Sequence, residues 1–162
     1  MLPKGKYIVV GLGITGVALL DYLGSQGMQC IGFDELDSEQ FKPVVTRFKS
    51  CKFYFEKFPI EELQDCQALI VSPGVPLNQA YLQRALQQKI PILGEIELAS
   101  KDLHGSILAV TGTNGKSTTV SLLHTILQEG GFSSSLKGNI GSPLITAVSE
   151  PKKDFYVVEL SS

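Results

Sequence analysis

Two glycine-bearing loops constrain this chain more than anything else in it. "GLGITG" (Gly11 to Gly16) follows the apolar run "KYIVVGL", and "VTGTNGKSTT" (Val110 to Thr119) opens with the end of "SILAVTG". Each sits between a β-branched, buried-strand type of run and a stretch with helical periodicity. A loop of this kind lets the backbone approach a phosphate while the following helix offers its unpaired N–H groups. The two loops lie about a hundred residues apart, far enough to belong to separate folding units.

Between them, strand-like and helix-like segments alternate. "TGVALLDYLGSQG" reads as a helix ended by glycine, "QCIGFDE" as a second strand, and "LDSEQFKPVVTRFKS" as one loose helix. "KFYFE" and "QALIVSPG" follow as strands, "NQAYLQRALQQK" as a helix and "IPILG" as a short strand. Alternation of this sort implies parallel pairing with right-handed crossovers. Residues 1–93 are therefore expected to form a small Rossmann-like parallel-sheet domain.

"EIELASKDLHG" reads as a short polar helix or linker, which puts a linker at 94–105, and a second α/β domain begins near Ser106. In it, "STTVSLLHTILQEGG" is a helix with an apolar face of Val120, Leu123, Ile126 and Leu127, stopped at Gly130-Gly131. "SSSLKGNIGSP" reads as a polar loop, "LITAVSE" as a helix and "DFYVVEL" as the last strand. Residues 106–162 are thus expected to be the first part of a second α/β domain opened by a P-loop-like turn, small for an independent nucleotide-binding domain, and the chain is expected to be a fragment.

The chain has 162 residues, a net charge of −2 and 43% hydrophobic content, with a pI near 5.7. No basic stripe interleaves with aromatics, so neither nucleic acid nor an anionic membrane is expected as a partner. Lys4 and Lys6 before an apolar run imitate a secretory signal, but glycines at turn spacing and the absence of a small-x-small cleavage pattern argue for strand-turn-helix. Cys30, Cys51 and Cys66 show no C-x-x-C spacing and are expected to be small buried hydrophobes in a reduced, cytoplasmic protein.

Gly11, Gly13 and Gly16 complete G-x-G-x-x-G, and Asp34 stands at the end of the next strand. That is the dinucleotide fingerprint in context, with Asp34 available to a ribose or a base. The same glycines also suit a plain tight β-α turn. The second loop ends in Gly115-Lys116-Ser117 as a P-loop does, but carries Val110 where the generic pattern has its leading glycine, leaving a compact loop with Gly112 three before Gly115. Its chemistry is intact: backbone N–H groups for phosphates, Lys116 for their charge, Ser117 for Mg²⁺. Lys116 at a helix start opposes the helix dipole unless an anion sits there. Glu159, at the end of "FYVVEL", is placed to serve as a second metal anchor if its strand neighbours the P-loop strand; a solvated strand-end glutamate is the alternative. His104, His124, Glu95 and Glu97 are read as packing or solvated residues.

Together "VTGTNGKSTT", "GNIG", "VVELSS", "GLGITG" and "SPG" resemble the Mur ligase family of cell-wall synthesis, over the whole chain and in order. In that family the first domain holds the UDP end of a sugar-peptide substrate and the second binds ATP, so two cradles serve two pyrophosphate groups. The resemblance implies that Gly13, Ile14, Thr15, Asp34 and Gly74 line the uridine diphosphate site, with Asn139 and Ser161 reaching the same substrate. It implies that Gly112, Thr113, Asn114, Gly115, Lys116, Ser117 and Thr118 hold ATP, that Ser117 and Glu159 hold Mg²⁺, and that Lys116 is catalytic.

The implied reaction is ATP-driven amide formation through an acyl phosphate, by a monomer acting on a UDP-sugar-peptide and an amino acid. The "GLGITG" and "SPG" pair favours the D-glutamate-adding branch. A modified lysine and an amino-acid-binding domain would lie beyond Ser162, so this chain alone is expected to bind nucleotides weakly and not to turn over. One departure stands out: Leu36 occupies a position where the family often has arginine. A nicotinamide oxidoreductase built on the first loop, or a P-loop switch protein built on the second, remain as alternatives from other classes.

Overall fold

The computed structural model describes residues 2–161, and they cluster into two compact units that divide between Glu95 and Ile96. The first unit carries β1 (Lys6–Val10), α1 (Ile14–Ser25), β2 (Gln29–Asp34), α2 (Lys42–Arg47), β3 (Lys52–Phe55), β4 (Cys66–Val71), α3 (Ala80–Gln87) and β5 (Ile92–Gly94). Its sheet has the order β3-β2-β1-β4-β5, and every pairing is parallel. This is the doubly wound α/β arrangement expected from the alternation, with its topological switch point between β1 and β4. The strands are continuous apolar runs because both faces are covered: Tyr7 to Val10 and Cys30 to Phe33 are all buried.

Beneath the switch point lies a core of Ile8, Val10, Ile31, Phe33, Leu69 and Val71, closed by Leu82 and Ala85 of α3. Phe33 meets Phe58 edge-on at 5.0 Å, and Phe58 stacks on Tyr81 at 4.5 Å. The stretch read as one loose helix is divided into a 3₁₀ turn, Ser38–Phe41, and α2, because Asp37 caps the turn through the Glu39 amide and Pro43 suits only a helix start. Cys30 is buried while Cys51 and Cys66 are half-buried. Burial, then proximity to Cys51, pushes the Cys30 thiol up to about 12, which leaves it protonated and inert.

α4 (Glu95–Ser100) occupies the segment read as helix or linker. Glu95, expected to be solvated, is buried, whereas Glu97 is exposed and pairs with Lys101.

The second unit holds β6 (Ser106–Val110), α5 (Lys116–Glu129), β7 (Ser134–Gly138) and β8 (Phe155–Glu159). The order is β6-β8-β7, again all parallel. Three expectations are corrected here. β7 lies inside the segment read as a polar loop; its Ser-Ser-Leu-Lys-Gly sequence hides the strand because one of its inward residues is a charge. "LITAVSE" forms a 3₁₀ turn, Leu144–Ser149, that buries Leu144, Ile145 and Ala147. On α5, Val120 is buried, but Ile126 of the expected apolar face is 57% exposed.

The charge inside β7 is Lys137, 2% exposed. Its Nζ donates to Glu150 Oε1 at 2.6 Å, Ser142 Oγ at 2.9 Å and Thr146 Oγ1 at 3.0 Å, so the buried ammonium is fully partnered. Burial raises the Glu150 carboxyl, but the Lys137 ammonium and the Thr146 hydroxyl outweigh it and hold the group below the usual carboxylate range. A depressed carboxyl stabilises the fold above its unfolded pKa and loses that contribution as pH falls through the folded value. Thermal melts should therefore show Glu150→Gln less stable than wild type at pH 7, with the difference shrinking as pH falls through the folded value of the carboxyl.

Gly16 is fixed by close approach: a Cβ there would lie 1.9 Å from the Gly11 carbonyl oxygen. Gly16→Ala is expected to cost about 1–3 kcal/mol or more in urea unfolding, as an overpacked site does.

Candidate functional site

The first loop leaves β1 at Gly11, whose φ of 86° needs a glycine. The Gly11 amide donates to the Phe33 carbonyl at 2.9 Å, and Ser72 Oγ donates to the Gly11 carbonyl at 2.9 Å. Neighbouring strands thus hold the loop on both sides. Gly13 caps α1 without any side-chain hydrogen bond, and the first turn of α1 contains no acidic residue. The helix start is left free for an anion. Unlike Gly16, Gly13 has φ near −67° and nothing within 4 Å of where a Cβ would be. Packing leaves position 13 open to a side chain, and glycine there suits the N-cap of α1.

Asp34 stands at the cleft, as expected, and is also tied to the backbone. Its Oδ2 accepts from the Leu12 amide at 2.7 Å and its Oδ1 from the Leu36 amide at 3.0 Å. The carboxylate ties the first loop to the end of β2. Beside it opens a cleft of about 190 Å³ at the carboxyl ends of β1, β2 and β4, walled by Gly11, Asp34, Glu35, Gly74, Val75 and Tyr81. Gly74, at φ 95°, faces open space. The Tyr81 hydroxyl donates to Glu35 Oε1 at 3.1 Å; burial first, then Glu35, push the phenol well above its ordinary range. Tyr81 and Glu35 escape sequence reasoning because Tyr81 reads as a core position of its helix and Glu35 carries no motif. Ile14 is 82% exposed on the first turn of α1, and Thr15 follows it half-buried.

In the second unit Gly112 (φ 141°) and Gly115 (φ 75°) shape the loop, and both face open space. Thr113, Asn114 and Thr118 are exposed around it. Lys116 is the first residue of α5, and its ammonium folds back onto the Gly112 carbonyl. Among the described residues it has no carboxylate partner.

Parallel register sets Val110 beside Glu159, which brings the Glu159 carboxylate under the helix start, where Oε2 accepts from Ser117 Oγ at 2.6 Å. Glu159 is 6% exposed, so the solvated alternative for this residue is set aside. The Asn139 amide donates to the Glu159 carbonyl at 3.0 Å, so the "GNIG" turn adjoins the same strand end. Ser161 is exposed just beyond it.

Among the described residues no three His, Cys, Asp or Glu side chains converge to hold a metal by themselves. One hydroxyl and one buried carboxylate beside a phosphate loop suit Mg²⁺, which takes few protein ligands and completes its shell with phosphate oxygens and water. His124 Nδ1 lies 2.8 Å from Ser134 Oγ, a packing role. No helix among the described residues is long and apolar enough to cross a membrane. Asp34→Ala, which strips two backbone amides of their acceptor, is expected to destabilise the first unit by about 1–3 kcal/mol in urea unfolding, with or without nucleotide present.

Residues 5–94 match the family model described as Mur ligase MurD-like, N-terminal domain. The UDP-N-acetylmuramoylalanine--D-glutamate ligase of Thermoanaerobacter sp. (strain X514) is 41% identical over 98% of this chain and 36% of its own length. The protein of the same name from Koribacter versatilis (strain Ellin345) is 37% identical over the same shares. The chain therefore spans 36% of the length of these curated relatives. Among solved structures, the UDP-N-acetylmuramate:L-alanyl-gamma-D-glutamyl-meso-diaminopimelate ligase from Neisseria meningitides superposes with a TM-score of 0.56 at 18% identity, over 97% of this chain and 52% of its own. A pseudomurein peptide ligase type C from Methanothermus fervidus gives 0.54 at 23% identity, over 96% and 33%; at these identities the likeness is one of fold. With its MurD-like first unit, the chain belongs to the Mur ligase family.

Proposed function

We propose that this chain is the substrate-nucleotide and ATP-binding part of an ATP-dependent ligase that joins D-glutamate to UDP-N-acetylmuramoyl-L-alanine in peptidoglycan precursor synthesis. The observation that carries the reading is the Ser117–Glu159 pair, 2.6 Å apart under the helix start, in a chain that also has a complete first cradle. A nicotinamide oxidoreductase has no use for the second site, and a P-loop switch protein has none for the first. The relatives named for D-glutamate addition support the choice of amino acid. The lack of a basic stripe supports an enzyme without a nucleic-acid or membrane partner, three cysteines without C-x-x-C spacing support a reduced, cytoplasmic setting, and we extend the reading to a monomer.

In this reading the loop amides from Gly112 to Thr118 hold the triphosphate. Lys116 leaves the Gly112 carbonyl to offset charge on the β- and γ-phosphates, at a helix start where, without an anion, its own charge costs about 0.3–1 kcal/mol. Ser117 and Glu159 would hold Mg²⁺, which supplies further stabilisation of phosphoryl charge. The carboxylate of the UDP-sugar-peptide attacks the γ-phosphorus, ADP leaves, and the resulting acyl phosphate loses inorganic phosphate when the amine of D-glutamate attacks its carbonyl. The first unit anchors the substrate: Gly13, Ile14 and Thr15 face its diphosphate, and Asp34 and Gly74 shape the nucleoside cleft. Asn139 and Ser161 contact the same substrate from the second unit.

Calorimetric titration tests both halves. UDP and Mg²⁺-ATP are expected to bind and NADH to give no signal. Gly13→Ala is expected to weaken UDP at least tenfold at only a small cost in melting temperature, since its Cβ meets no protein atom and alanine is merely the poorer N-cap. Lys116→Met is expected to weaken Mg²⁺-ATP to a similar degree and leave UDP untouched. NADH binding without a response to UDP would overturn the reading.

A further inference from the structure

β7 carries a charge at an inward position where an apolar residue would serve the core. Lys137 is 2% exposed, and burying an ammonium forfeits hydration that even good partners only match. Methionine, of similar length, would fill the space without that loss. Stability alone therefore does not account for lysine here. What the ammonium has and a methyl group lacks is direction, through several N–H donors on one nitrogen.

Those donors all point to the segment that follows the next turn. Nζ reaches Ser142 Oγ at 2.9 Å, Thr146 Oγ1 at 3.0 Å and both oxygens of Glu150, at 2.6 and 2.8 Å. Lys137 directly precedes the turn, its backbone forms a parallel bridge with Ser142, and the Gly138 amide donates to the Ser142 carbonyl at 2.9 Å. One side chain thus ties together the two ends of the turn from Gly138 to Ser142. The turn is tight: Gly138 has φ 100° and Gly141 φ 78°, and a Cβ on Gly138 would lie 2.3 Å from the Glu159 carbonyl oxygen. The Asn139 amide donates to that same oxygen at 3.0 Å. Asn139 itself is exposed, so its place is set by the turn that carries it and not by packing of its side chain. We propose that Lys137 is a positioning residue, whose buried ammonium clamps this turn so that Asn139 is held ready for the UDP-sugar-peptide. The inference rests on the substrate contact proposed for Asn139 and adds to it the residue that fixes its geometry.

Calorimetry on the 162-residue protein compares UDP with UDP-N-acetylmuramoyl-L-alanine, for wild type, Lys137→Met, Asn139→Ala and the double variant. Wild type is expected to bind the sugar-peptide nucleotide about tenfold more tightly than UDP, the gain of roughly one good hydrogen bond. Lys137→Met is expected to bring that ratio toward one with UDP affinity unchanged. Its melting temperature should stay near wild type, because Ser142 Oγ and Thr146 Oγ1 lie 3.2 Å apart and can pair with each other, while the Glu150 side chain, 39% exposed, reaches water. Asn139→Ala is expected to lower the ratio equally, and the double variant to lose no more than either single one, as two residues acting as one unit do. Should Lys137→Met fail to fold, Ser142→Ala keeps the ion pair, removes one acceptor, and is expected to lower the ratio by a smaller factor; no change there overturns the inference. A wild-type ratio in a folded Lys137→Met, or losses that add in the double variant, overturns it, and equal weakening of both ligands does so by assigning Lys137 to the fold alone. An unchanged ratio in Asn139→Ala, or no UDP binding by wild type, overturns the proposed substrate contact and the inference with it.

Discussion

Parallel strand pairing is the constraint on which the rest of this structure depends. Each described pairing in both sheets is parallel, so each strand must be reached by a crossover, and the carboxyl ends of all strands in a sheet emerge along one edge. In the first unit that edge gathers Gly11 to Gly13, Asp34 to Leu36 and Gly74. In the second it gathers the loop from Gly112 to Gly115, the turn from Gly138 to Gly141, and Glu159. Residues far apart in sequence become neighbours because strand direction leaves them nowhere else to go. Ser117 and Glu159 are separated by 42 positions, yet their oxygens lie 2.6 Å apart.

Electrostatics then divides the labour along each edge. Both α1 and α5 begin at a glycine that makes no side-chain cap, so their first amides and positive dipole ends stay available to an anion. Carboxylates mark where anions do not belong. Asp34 and Glu35 line the cleft beside the first loop, and Glu159 stands below the second, where in the proposed reading a divalent cation would reconcile it with phosphate. Lys116 shows the same logic in reverse, as a cation placed against a helix dipole and folded onto the Gly112 carbonyl.

What was legible in the sequence was whatever announces itself by apolar period or by glycine. The buried runs of β1, β2, β4 and β8 and the two glycine loops are of that kind, and they were enough to expect parallel sheets and two sites. Features that depend on a tertiary partner were not legible. β7 was hidden because its buried position is Lys137, which is tolerable only through Glu150, Ser142 and Thr146. The structural duty of Asp34 needed the amides of Leu12 and Leu36 to be in place, and the motif suggested only a ligand contact. Nothing in the sequence singles out Tyr81, whose ring joins the core while its hydroxyl reaches Glu35 at the cleft. The two glycines of the first loop that look alike in sequence separate in space, since a Cβ at Gly16 would strike the Gly11 carbonyl and one at Gly13 would meet nothing.

The central claim is that one chain carries two independent nucleotide sites with different chemistry. It is tested most directly by titrating UDP into the protein already saturated with Mg²⁺-ATP, and then in the reverse order. The account predicts one equivalent of each ligand bound in either order, with neither displacing the other. Displacement of one by the other, or a single equivalent shared between them, would contradict it and reduce the two cradles to one binding site and one structural turn.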